Sequence, residues 1–164
     1  MMIENLNVTL RYDVRLADSA VIGRMVAATN YFTPAETEIA VELVDERLAK
    51  GAAAGYEFVI AEINGGMVGY ACYGEIPCTV GSYDLYWIVV DPHRQRLGIG
   101  QQLMSEVESA VAAIGGRGIY IDTSGRPDYA RTQRFYERCG YQPVARLADF
   151  YAPDDPKVIY YRAL

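Results

Sequence analysis

The hydrophobic and polar positions of this chain recur with strand and helix periods, and these periods predict most of its elements. Residues 8–14 alternate apolar and polar and predict a strand. Asp18 is placed to cap a helix carrying Val21, Ile22, Met25 and Val26 on one face. Thr33-Pro34-Ala35-Glu36 marks a second helix start, with a hydroxyl at the cap, proline at the first position and glutamate at the third. Ile39, Leu43, Val44 and Leu48 form the apolar stripe of that helix, and Gly51 is placed to stop it. Residues 56–63 and 67–73 read as strands joined by the turn signal Asn64-Gly65-Gly66. Residues 83–90, aromatic and β-branched, predict a further strand, which Asp91-Pro92 ends. A helix then runs to about residue 114, burying Leu103, Met104, Val107, Val111 and Ile114, and Gly115-Gly116 stops it. Residues 119–123 form a short strand, Pro127 opens a helix ending at Cys139, and 141–150 and 157–162 close the chain as strands.

The order is strand, two helices, three strands, helix, strand, helix, two strands. Three consecutive strands favour antiparallel pairing, whereas strand–helix–strand requires a parallel crossover within one sheet. The expected class is therefore mixed α/β: a mostly antiparallel sheet of about six to seven strands with about four helices on its faces. At 164 residues a single domain is expected. A composition of 51% hydrophobic and 22% charged residues excludes general disorder. The net charge of −6 argues against nucleic acid or an anionic membrane as a partner. Residues 1–10 contain Glu4 and two asparagines, without a basic start and apolar run, so no signal peptide is expected, and no stretch is long enough for a membrane span. Cys72, Cys78 and Cys139 form no close pair, which fits a reducing, cytoplasmic compartment, and with His93 as the one histidine no metal site is expected.

Chemistry concentrates between the strand at 83–90 and the helix that follows. Gly98 and Gly100 have no side chains to keep a ligand from the backbone, and the first amides of a helix lack intrahelical partners. The helix dipole and the guanidinium groups of Arg94 and Arg96 add positive charge, so residues 95–101 suit a phosphate or pyrophosphate. The run lacks the lysine and spacing of a P-loop. Gly98-Ile99-Gly100 is followed by Gln101-Gln102-Leu103, so the third glycine of a dinucleotide fingerprint is missing too. A plain strand–helix connection with no ligand is the alternative at this stage.

The wider pattern selects among anions. Val90-Asp91-Pro92 leads to Gln95, Gly98 and Gly100, and farther on come Phe135-Tyr136-Glu137-Arg138 and Gly140-Tyr141. This ordered pair, spanning about residues 84–141, resembles the GNAT family of acetyl-CoA-dependent N-acetyltransferases. The first family motif is arginine or glutamine, two residues, glycine, one residue, then glycine or alanine; the second is a Tyr-Glu pair ending a helix before Gly-aromatic. The resemblance implies the GNAT fold, with Gln95, Arg96, Leu97, Gly98, Ile99, Gly100 and Gln101 around the pyrophosphate of coenzyme A. It implies backbone contacts from Ile88, Val89 and Val90 to the pantetheine arm, with the next strand ending near the cofactor at Thr123. Tyr136 takes the position of the acid that protonates the departing thiolate, a role suited to a phenol of ordinary pKa ~10.

Asp84, on the strand before the loop, is the candidate base for the acceptor ammonium, acting directly or through water, with Glu75 and Asp122 behind it. Two positions depart from the family pattern: Tyr129 stands where many relatives have a cofactor-binding asparagine, and Thr132 replaces a frequent alanine. Tyr31 and Phe32, between the first two helices, and Tyr151, in the acidic-aromatic tail segment 149–157, are candidate acceptor walls. His93 reads as a solvated loop residue and Cys139 as a structural thiol. The expected activity is acetyl transfer to a primary amine of a small molecule or peptide, in a ternary complex without an enzyme nucleophile. The resemblance also leaves room for a homodimer. The alternatives are a non-catalytic acyl-CoA-binding regulatory domain and a nucleotide-binding module.

Overall fold

The structure is a computed structural model that describes residues 7–164, so the segment read for a leader lies, up to residue 6, outside the described residues. In chain order the elements are β1 (Val8–Arg11), α1 (Asp18–Ala28), α2 (Pro34–Lys50), β2 (Glu57–Ile63), β3 (Gly66–Glu75), β4 (Ser82–Val90), α3 (Ile99–Ala113), β5 (Gly118–Ser124), α4 (Ala130–Arg138), β6 (Gln142–Ala152) and β7 (Asp155–Ala163). Hydrogen bonding orders the strands β1-β2-β3-β4-β5-β7-β6, a seven-stranded mixed sheet. β4 and β5 pair in parallel across the α3 crossover, while β1–β2, β2–β3, β5–β7 and β6–β7 are antiparallel. The mixed α/β class read from the element order is the one observed.

The chain forms two compact units. The first takes in the described residues up to Tyr73 together with Trp87–Val107. Its core joins Ile22, Met25 and Val26 of α1, Ala40 and Val44 of α2, Phe58 and Ile60 of β2, Tyr70 and Cys72 of β3 and Val89 of β4. The expected stripe of α2 largely holds: Val44 is buried beside Ala40, Leu43 and Leu48 pack against the core, and Ile39 alone of the four departs from it at 49% exposed. Thr33 caps α2 as the sequence predicts, its hydroxyl accepting from the Glu36 amide at 3.2 Å while its own amide donates to Glu36 at 2.7 Å. The Asn64-Gly65 turn has both residues at positive φ, the geometry that suits a tight hairpin.

Asp18 corrects the sequence reading. It lies inside the first turn of α1, with Ala17 at the cap and no side-chain cap bond from that residue. The Asp18 carboxylate accepts from both terminal nitrogens of Arg11, at 2.8 and 2.9 Å, and from the Arg15 amide at 2.7 Å. Arg11 is itself buried and donates through Nε to Glu62 at 2.9 Å. A guanidinium removed from water requires this pairing, and the pairing ties β1 to α1 and β2.

The second unit comprises Gly74–Tyr86 and Glu108–Leu164. Ile119, Ile121, Tyr136, Tyr141, Val158 and Tyr160 are its buried residues of largest consequence. Ile114, expected in the core, is 68% exposed, because α3 ends at Ala113 and the chain turns at Gly115. Gly116 then passes so close to Val111 that a Cβ there would overlap it. β6 lies at the sheet edge and is mostly exposed. The last two strands run closer together than the expected 141–150 and 157–162, and only Pro153 and Asp154 separate β6 from β7.

Candidate active site

In the first unit, the end of β4 leads into a tightly held loop. The Asp91 amide donates to the Val68 carbonyl at 2.9 Å, which fastens the strand end to β3. Asp91 also caps the short 3-10 turn Pro92–Arg94, accepting from the His93 amide at 2.8 Å. The Gln95 side chain donates back to the Val90 carbonyl at 3.3 Å. Arg96 and Gly98 then adopt left-handed backbone, with φ of 64° and 78°. Such residues turn successive amides toward one side, a geometry that binds anions.

The Gln102 amide donates to the Gly98 carbonyl at 3.0 Å, closing the first turn of α3. The amides of Ile99, Gly100 and Gln101 lie before that bond and have no acceptor within the helix. A Cβ on Gly98 would meet nothing within 4 Å, so the space beside the loop is open. Arg94 and Arg96 are exposed next to it. The loop 95–101 thus combines left-handed backbone at Arg96 and Gly98 with two exposed guanidinium groups.

α3 is aimed by its own buried side chains. Ile99 and Leu103 are fully packed, and they rest on Gly69 of β3. A Cβ at Gly69 would lie 3.0 Å from the Val89 carbonyl oxygen, 3.3 Å from Leu103 and 3.4 Å from Ile99. Gly69 therefore sets the height of the helix start over the sheet. Of the predicted β4 contacts, Val89 is buried and Ile88 and Val90 are half-buried. Phe32 packs edge-on against Trp87 with ring centroids 4.9 Å apart, which brings the α1–α2 connection over β4 within this unit. Tyr31 beside it is exposed.

The second unit holds the remaining predicted residues. Tyr136 is the buried residue of α4, with its ring 5.6 Å from Phe135 and 5.7 Å from Tyr160. Burial raises its pKa above the ordinary phenol value, so it is protonated throughout the neutral range. Thr123 is buried on β5. Tyr129 directly precedes α4, with the Arg126 guanidinium 5.3 Å from its ring centre.

The β5–α4 connection is held by groups that the sequence reading did not single out. Ser124 bonds to the buried Asp155, the Arg126 amide donates to Ser124 Oγ at 3.2 Å, Gln133 donates to the Ser124 carbonyl at 3.1 Å, and the Gly125 amide reaches the Pro156 carbonyl at 2.8 Å. Tyr151 is exposed on β6, edge-on to Phe150 at 5.0 Å.

Asp84 is half-buried on β4 opposite Tyr120 of β5. Desolvation, and then the charge of Asp122, raise its carboxyl above the usual range, while Lys157 opposes the shift. A carboxyl with this proton affinity suits exchange with an ammonium better than a solvated one. Asp122 is instead ion-paired with Lys157, and Glu75 accepts from the Gly81 amide at 3.3 Å in the turn before β4. Cys139 ends α4 with its thiol pKa raised by burial, a poor nucleophile. His93 is exposed.

Trp87 and Gly69 escaped the sequence reading, and Asp155 and Lys157 entered it only as members of the segment 149–157. A glycine inside an apolar strand is a signal of close backbone approach, and it was there to be read at Gly69. The others had no local signal.

Comparison with known proteins bears on this geometry. Residues 54–143 match the family model of the acetyltransferase (GNAT) domain. No curated protein gives a significant sequence match. A GNAT-family protein from Desulfovibrio desulfuricans is 49% identical, with TM-score 0.93 over 95% of this chain and 98% of its own. An aminoglycoside 6′-N-acetyltransferase complexed with coenzyme A superposes with TM-score 0.76 at 21% identity, over 94% of this chain and 96% of its own. The Salmonella typhimurium protein yncA with acetyl-CoA superposes with TM-score 0.75 at 19% identity, over 96% and 94%. These last two share the fold.

Proposed function

The chain belongs to the GNAT family of acetyltransferases and is an acyltransferase; from that premise we propose that it moves the acetyl group of acetyl-CoA directly onto a primary amine of a small molecule or peptide within a ternary complex. The observation that carries the reading is the loop 95–101, where left-handed Arg96 and Gly98 and the open amides at the start of α3 suit a pyrophosphate.

In this reading the amides of Ile99, Gly100 and Gln101 bind the diphosphate, with Gln95 and Leu97 shaping the loop and Arg96 supplying charge. The backbone of Ile88, Val89 and Val90 orients the pantetheine arm, and Thr123 and Tyr129 complete the cofactor contacts. A β4 amide near Val89 or Val90 polarises the acetyl carbonyl, and a single such donor is worth about 3 kcal/mol in a dry site. Asp84 takes the proton that the acceptor ammonium must lose. The amine nitrogen then forms its bond to the acetyl carbon as the carbon–sulfur bond breaks. Tyr136 donates its hydrogen bond, and finally its proton, to the leaving sulfur, and the second proton that the nitrogen sheds as it becomes an amide passes through solvent to restore the phenol. No side chain carries the acetyl group, so no enzyme nucleophile is needed. Tyr31, Phe32 and Tyr151 are assigned to the acceptor side. The whole chain acts as one catalytic domain in this reading, and its three free thiols suit the cytoplasm.

Calorimetry with acetyl-CoA tests the reading, with Gly98→Glu as the control that adds bulk and negative charge to the loop. Binding by the parent and its loss in a folded variant is the expected result. A folded parent that binds no acetyl-CoA refutes it.

A further inference from the structure

Two aspartates share one face of the β4–β5–β7 ladder in the second unit, and their surroundings differ. Asp84 stands opposite Tyr120 in parallel register, and Asp122 lies two residues farther along β5 on the same face. Lys157 of β7 stands opposite Ser124, which puts it on that face as well. Tyr136 of α4 packs against Tyr160 on the other face, where Tyr160 stands opposite Ile121. The Lys157 ammonium is ion-paired with Asp122 and sits 4.6 Å from the centre of the Phe150 ring, and its side chain is only 17% exposed. The rings of Tyr120 and Tyr161, tilted against each other with centroids 4.7 Å apart, occupy the neighbouring positions. Among the described residues Asp84 has no ion-pair partner, and the charged groups that reach it are Asp122 and Lys157.

We propose that Lys157 is a positioning residue for the proton transfer: by binding Asp122 it commits that carboxylate to an ion pair and leaves Asp84 as the carboxyl on this face that exchanges a proton with the acceptor amine. The proposal rests on the acetyltransferase reading, in which Asp84 is the base. Its physical content is a division of labour between two like charges. Carboxyl groups that share a site cannot both ionise freely, and a cation on one of them decides which stays ionised. The Phe150 ring lies beside the same ammonium, a second favourable contact for the cation.

The two perturbations of the pair act in opposite directions. Removing the ammonium in Lys157→Met leaves Asp84 and Asp122 on one face without a cation, and the Asp84 midpoint rises. Removing the like charge in Asp122→Asn lowers it. Lys157→Arg keeps the cation and restores the parent value. A purely structural role for Lys157 would not produce shifts of opposite sign with rescue by arginine.

The experiment is a carboxyl 13C NMR titration of the full chain, with the Asp84 resonance assigned by its disappearance in Asp84→Asn and each variant checked for folding by circular dichroism. Opposite shifts in Lys157→Met and Asp122→Asn, with Lys157→Arg at the parent value, are expected. An Asp84 midpoint that stays put in both variants, or moves the same way in both, overturns the proposal. Turnover is then followed by thiol release from acetyl-CoA with the best acceptor from a panel of polyamines, aminoglycosides and peptide N termini. The acidic limb of kcat/KM is expected to move with the NMR midpoint. Full turnover in Asp84→Asn overturns the catalytic role of the pair while leaving acetyl-CoA binding, and with it the family function, intact.

Discussion

Gly69 offers a quantitative test of how the sheet aims the helix that starts the phosphate loop. Its φ is not positive, so alanine is conformationally admissible there and would gain about 0.4–1 kcal/mol by restricting the unfolded chain. Against that gain, the new Cβ would press on the Val89 carbonyl oxygen at 3.0 Å, on Leu103 at 3.3 Å and on Ile99 at 3.4 Å. The first of these is backbone and the other two are fully packed, so none yields freely. Gly69→Ala is therefore expected near neutrality. Gly69→Val adds two methyl groups to the same gap, and overpacking of this kind costs about 2 kcal/mol. For a chain of this length that lowers the melting temperature by about 4–8 °C.

Strain relief must also lift Ile99, the first residue of α3, away from the sheet. The amides of Ile99, Gly100 and Gln101 move with it, so acetyl-CoA affinity falls in Gly69→Val by about tenfold, a loss near 1.4 kcal/mol. Thermal unfolding by circular dichroism and calorimetric titration with acetyl-CoA measure the two effects separately. A Gly69→Val protein that melts within about 1 °C of the parent and keeps its affinity would show that the contact does not position the helix.

Three further outcomes follow from the same structure. Tyr136→Phe removes the proton donor and keeps the ring, so kcat falls about 100-fold while the acetyl-CoA Kd is unchanged; an unaltered kcat removes Tyr136 from the chemistry. Asp84 must be ionised to accept a proton, and burial with the Asp122 charge raises its pKa, so kcat/KM rises with pH through a midpoint above the ordinary aspartate value, and Asp84→Asn abolishes that limb. The stability sign is the reverse: the raised group favours the folded state below its unfolded pKa, and that contribution is lost as pH climbs through the folded value, so Asp84→Asn flattens the stability profile in that window. Asp18→Asn leaves the buried Arg11 with Glu62 as its remaining anion, and denaturant unfolding should show a loss of about 3 kcal/mol; a loss below about 0.5 kcal/mol would mean that the cluster is effectively solvated.

The features legible in the sequence are those whose causes lie within a few residues. The capping box Thr33–Glu36, the Asn64-Gly65 turn and the open first turn of α3 after Gly98 depend on neighbours along the chain, so residue type and spacing determine them. The alternating and helical periods likewise determined the element order, and with it the mixed class, because side-chain direction repeats every two or 3.6 residues. The two family motifs identified the family because each is a short ordered run of residue types that can be read along the chain.

Partners distant in the chain were decided by the tertiary structure. Asp18 carries every sequence mark of a helix cap, yet Arg11 and Glu62 converge to make it the anion of a buried ion cluster. On α2, Leu43, Val44 and Leu48 pack as their spacing predicts, but Ala40 takes the buried place expected of Ile39, because the surface that it packs on is built from α1 and strands that its own periodicity does not encode. Phe32 meets Trp87, Gly69 meets Ile99, and Lys157 meets Asp122 only once strands far apart in sequence lie in register. Periodicity states which side of an element is apolar, but it carries no information about which other element will cover that side, and the choice between two aspartates on one face is made by where a single lysine is brought to rest.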